Sequence, residues 1–97
     1  MTTQEATHLA LQQATLDAYI RMLVRAATKV VTECLVANKL PPDGIVAAVD
    51  GVVAVGMELK ADIDSKQSPT EWRLKSQWDR VGTNVKVLRG ILREEIK

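Results

Sequence analysis

The residues best suited to chemistry in this 97-residue chain are one histidine, one cysteine and a pair of aspartates. His8 has no cysteine partner and no acidic cluster at ligand spacing. A solvated surface histidine is therefore expected, rather than a general base or a metal ligand. Cys34, as the single cysteine, excludes an intrachain disulfide and a cysteine-based zinc site. It falls within an apolar pattern, where a free thiol is a small, inert, buried side chain. Asp62-Ile63-Asp64 brings two carboxylates together. A calcium loop needs more oxygen ligands, a glycine at its turn and a closing glutamate, so a solvated acidic loop is expected. The five glycines show no phosphate-cradling order and lend nucleotide binding no support. No catalytic residue, cofactor or metal is assigned.

Cations offer two further groupings. Arg21, Arg25, Lys29 and Lys39 are the candidates for holding a dicarboxylate substrate. In size and in the length of its first helix the chain resembles the all-helical chorismate mutases, in architecture alone; no motif carries over residue by residue. That resemblance implies a small enzyme with converging cations. The wheel places these cations opposite the apolar stripe, where a solvated face is expected. The second grouping is a basic stripe, Lys75, Lys86, Arg89, Arg93 and Lys97, within a sector of about 80° on a helical wheel. It can be a solvated flank whose aliphatic stems cover core edges, a partner for the acids of the first two segments, or a surface for nucleic acid phosphates. Aromatic interleaving of the kind that stacks bases is absent, and no helix-turn-helix spacing occurs. Nucleic acid accordingly ranks third among these partners. Trp72 points away from the core stripe: either it is incidentally exposed, as single apolar residues commonly are, or it belongs to a second contact surface.

The elements that position these residues are three helices. Leu40-Pro41-Pro42-Asp43-Gly44 and Ser65-Lys66-Gln67-Ser68-Pro69 break the chain, because proline ends a helix and expels its predecessor from helical geometry. Helices are expected over about 3–38, 43–63 and 69–95. In the first, Leu9, Leu16, Leu23 and Val30 recur every seven residues, as do Ile20, Ala27 and Cys34, which is a heptad seam. Tyr19, Val24, Val31 and Leu35 widen it. At 1.5 Å per residue this helix would be about 54 Å long, unless it breaks near Gln12-Gln13-Ala14-Thr15. In the third, Ser68, Pro69 and Glu71 form a capping box. Leu74, Trp78, Val81, Val85, Leu88, Leu92 and Ile96 then make one stripe.

The middle segment is the unusual one. Ile45, Val49, Val52, Gly56, Leu59 and Ile63 form one stripe, and Val46, Val53 and Met57 form another on a second face. A helix apolar on two faces needs two neighbours. Gly51 and Gly56 permit close approach. A rival reading makes Val49-Asp50-Gly51-Val52 a hairpin turn between valine-rich strands, but the apolar residues do not alternate.

Composition sets the class. Apolar residues are 46% and aromatics 3%, with no phenylalanine, so an aliphatic core is expected in a single domain of residues 1–97. Residues 1–65 hold five Lys/Arg against eight Asp/Glu, and residues 66–97 hold eight against four, leaving the net charge at +1. Unlike patches of this kind can meet in an isologous dimer. Met1 to Glu5 contains no basic region ahead of an apolar run, so no signal peptide is expected. The Ile45–Leu59 run is too short and too charged to span a membrane. The reading is an all-α protein: a three-helix antiparallel arrangement in which the long first and third helices pack antiparallel and a shorter middle helix fills one end, assembled into a helical-bundle oligomer. It is expected to be non-enzymatic and cytoplasmic, with itself or another helical protein as partner. Val46, Val53, Met57, Leu9 and Leu16 are the expected interface residues.

Overall fold

The computed structural model describes the backbone of residues 3–66 and 68–96 and the side chains of 3–66 and 68–91. Three helices pack together: α1 (Thr3–Val36), α2 (Ile45–Asp64) and α3 (Glu71–Ile96). No strand occurs among the described residues. The Asp50-Gly51 pair lies inside α2, so the hairpin reading fails there. Helical burial every three or four residues outweighs the local turn preference of one dipeptide.

The first helix is unbroken. Gln12 to Thr15 hold helical geometry, and Thr15 Oγ donates back to the Leu11 carbonyl at 2.8 Å. Its 34 residues set the 53 Å long axis of the molecule. It ends at Val36, two residues earlier than expected, and Asn38 just beyond it is left-handed with φ of 59°. The Lys39 and Asn38 N–H groups donate to the Cys34 and Leu35 carbonyls at 2.8 and 3.1 Å. This is a Schellman closure, with asparagine in place of the usual glycine.

Helix α2 starts after Gly44, whose φ is 83°. An L side chain there would be strained, so glycine turns the chain at that point. The cap of α3 departs from the sequence expectation. Thr70, not Ser68, receives the Arg73 N–H on its hydroxyl, at 3.3 Å. The helix therefore begins at Glu71 rather than Pro69. Proline needs no donor partner and sits just outside.

Two short connections make α1–α2 and α2–α3 antiparallel, which leaves α1 and α3 parallel. Leu9 shares a crevice with Thr70 and Glu71, Gln12 shares one with Leu74 and Lys75, and the Tyr19 and Trp78 rings stack at 6.1 Å. Both helices therefore advance together, and an antiparallel pairing of the first and third segments does not occur.

The core joins Leu9, Leu16, Ile20, Leu23 and Ala27 of α1 to Ile45, Ala48, Val52, Val55 and Leu59 of α2, and to Leu74, Val81, Val85 and Leu88 of α3. Each fully buried leucine contributes about 1.5–3 kcal/mol relative to exposure. The heptad seam of α1 is thus the core line, with Cys34 buried at its end. In α2 the buried arc is rotated from the expected stripe. Ala48 and Val55 are buried, Val49 is half-buried and Ile63 is exposed. A helix wedged between two neighbours centres its buried arc between them. Leu35 is also exposed, because it lies a turn beyond Val31, which borders the first turn of α2. Leu92 and Ile96 of the third stripe fall outside the described side chains.

Candidate functional site

Helix α2 commits one arc to the core and leaves another bare. Positions 46, 50, 53, 57, 60 and 64 follow a four–three spacing, so they lie on one line along the helix. They carry Val46, Asp50, Val53, Met57, Lys60 and Asp64. Val46 is 60% exposed and Met57 70%, with Val53 half-buried between them. Ala47, Ala54 and Ala61 are exposed beside this line. Between Val46 and Ala61 the outward surface carries two charges, Asp50 and Lys60. The third charge in that stretch, Glu58, faces α3.

The line borders a shallow groove against α1. One part is lined by Ile20, Val24, Val53, Gly56 and Met57 with Asp17, Arg21, Arg25 and Lys60 at its margin. Another part is lined by Ala27, Thr28, Val31, Val46, Val49 and Asp50. Gly56 brings the two helices together, since a β-carbon there would stand 3.1 Å from Ile20 Cγ2. Of the five interface residues expected from sequence, Val46, Val53 and Met57 lie on this face. Leu9 and Leu16 do not. They are 8% and 0% exposed, because the start of α3 returns alongside the start of α1 and covers its seam. The chain supplies for itself the cover that a partner was expected to give.

The opposite flank of α2 carries an ionic network that the sequence reading missed. Arg80 donates two bonds to Glu58, at 2.7 Å to Oε1 and 2.9 Å to Oε2. Arg73 likewise donates to both oxygens of Asp62, at 2.6 and 2.9 Å, and its Nη2 lies 3.4 Å from Glu58. Gln77, 0% exposed, lies between them. Its amide nitrogen donates to Glu58 and Asp62 at 3.1 Å each. Its oxygen has no partner, because two carboxylate acceptors dictate which way the amide faces. The Arg80 bonds hold the Glu58 carboxyl down at about 2 against partial burial. The Arg73 bonds lower that of Asp62 in the same way. Asp62 is thus a helical, paired residue rather than part of a solvated loop. The legible signal was spacing. Glu58 and Asp62 stand four apart on α2, and Arg73, Gln77 and Arg80 stand four and three apart on α3, with opposite charge.

The basic stripe of α3 takes no part in this network. Lys75, Lys86 and Arg89 are exposed and form no ion pair among the described residues. Arg93 and Lys97 lie outside the described side chains. Trp72 is 78% exposed, on the outer surface near Lys75. The four cations of the enzymatic reading do not converge: Arg21 and Arg25 share a groove margin that Lys29 and Lys39 do not line. Arg21 pairs with Asp17 at 3.1 Å, and Lys29 and Lys39 are exposed elsewhere. His8 Nε2 accepts from the Gln12 amide at 3.1 Å on the surface. Among the described residues no group of three His, Cys, Asp or Glu side chains is placed to hold a metal. No described helix is long and apolar enough to cross a membrane. No known family model, no curated protein and no solved structure matches this chain.

Proposed function

We propose that this protein is a non-enzymatic helical interaction module that self-associates through the outward face of α2. The observation that carries this reading is the exposure of Val46 and Met57, 60% and 70%, on a helix whose other apolar arc is already filled by its own chain. Single exposed apolar residues are ordinary. A line of them flanked by exposed alanines and an apolar groove marks an interaction surface. Oligomer formation, a cytoplasmic setting and the alternative of another helical protein as occupant belong to the same reading.

Sedimentation velocity over a range of micromolar concentrations tests it. The wild-type sedimentation coefficient should rise with concentration. Met57→Asp removes one apolar anchor from each copy, and each buried methionine contributes about 1.5–3 kcal/mol. The dimer should loosen about a hundredfold, with unchanged helical circular dichroism. A wild-type protein that stays monomeric throughout refutes the proposal.

A second reading draws on exposed Trp72, one turn from Lys75, and on Lys86 and Arg89 further along α3, all exposed and without an ion pair among the described residues. These provide a stacking ring and cations for a nucleic acid. Binding to a mixed-sequence oligonucleotide at low salt, falling steeply as salt rises, would support it. No binding at low salt removes it.

A further inference from the structure

Between Asp50 and Lys60 the exposed line of α2 is self-complementary when turned end for end. Asp50 and Lys60 are equidistant from the level of Val55. So are Val53 and Met57, and so are Val46 and Asp64. Place a second α2 antiparallel on this face with its two-fold axis at Val55. Every residue of the line then meets its mirror partner. Val53 packs on Met57 of the other copy, twice. Asp50 meets Lys60 of the other copy, twice, at the two ends of that apolar centre. A rise of 1.5 Å per residue puts Asp50 and Lys60 about 15 Å apart on one helix, too far to pair with each other. Both are exposed and form no ion pair or hydrogen bond among the described residues. Asp17, an acid of the same groove, is engaged by Arg21. The outermost positions, Val46 and Asp64, fall at the rim, where the carboxylate remains hydrated. Ala54 and its exposed neighbours Ala47 and Ala61 present no bulk that would hold the helices apart.

We infer that the occupant of this face is a second copy of the chain, docked α2 against α2 in antiparallel register about Val55, with reciprocal Asp50–Lys60 pairs fixing the alignment. The inference rests on the self-association proposed above and specifies its geometry. Opposite charges at both ends favour this register. A parallel alignment would set Asp50 against Asp50 and Lys60 against Lys60.

Charge exchange tests it. In Asp50→Lys both pairs become lysine against lysine, and in Lys60→Asp both become aspartate against aspartate. Loss of two attractions and gain of two repulsions should loosen either homodimer about tenfold. An equimolar mixture of the two variants restores both pairs across a heterodimer. So does the double variant Asp50→Lys/Lys60→Asp in a homodimer. Sedimentation of the four samples should therefore show two weakened dimers and two recovered ones. If the single variants associate like wild type while Met57→Asp dissociates, self-association stands and this register is wrong. Weakened single variants that fail to recover on mixing also overturn the register. A wild-type chain that is monomeric at every concentration overturns both.

Discussion

Replacing Glu58 with glutamine should convert a pH-dependent part of the stability into a fixed deficit. Glu58 binds Arg80 through both oxygens, and its carboxyl titrates near 2 rather than 4.5. A difference of that size corresponds to about 3 kcal/mol if solvent plays no part. The side chains of Glu58 and Arg80 are 29% and 46% exposed, so screening cuts this to about 1–2 kcal/mol. The sign follows from linkage. The folded carboxyl binds its proton less readily than the unfolded one. The stabilisation is therefore fully present above pH 4.5 and is lost as pH falls towards 2. Urea denaturation followed by circular dichroism, at one fixed protein concentration, measures it. At pH 7 Glu58→Gln should be less stable than wild type by about 1–2 kcal/mol, with a melting temperature lower by roughly 4–12 °C. The gap should narrow below pH 4.5 and nearly close by about pH 2.5. A gap of constant size from pH 7 to pH 2.5, or none at pH 7, refutes the reasoning.

Two other substitutions probe the division between core and surface. Leu16→Ala should cost about 2–5 kcal/mol, because the leucine is fully buried among all three helices. Its melting temperature should fall at every protein concentration, whereas an interface role would make the loss concentration-dependent. Gly51→Ala puts a β-carbon 2.6–2.8 Å from the Asn84 side chain, which itself donates to the Arg80 carbonyl at 3.0 Å. It should destabilise by about 1 kcal/mol with Asn84 present. In an Asn84→Ala background it should stabilise by a similar amount through helix propensity. The same sign in both backgrounds contradicts the packing described. The Met57→Asp dissociation and the Asp50/Lys60 exchange complete the set.

Helix number, approximate bounds and the core lines of α1 and α3 were legible in the sequence. Periodic burial and proline breaks act locally, and Leu9, Leu16, Leu23 and Ile20 can share one face only if the segment is helical. The bare line of α2 was legible for the same reason, as Val46, Val53 and Met57 cannot share the arc of Ile45, Val52 and Leu59. What periodicity cannot express is which neighbour lies against which flank. Leu9 and Leu16 read equally well as interface or core until the parallel course of α1 and α3 put the start of one against the start of the other. The pairing of Glu58 and Asp62 with Arg80 and Arg73, through a buried Gln77, likewise depended on the rotation of two helices about their own axes. A one-dimensional pattern determines which residues share a face. Only tertiary packing decides what that face meets, because contacts between helices depend on their relative direction, rotation and offset, and none of these is encoded within a single helix.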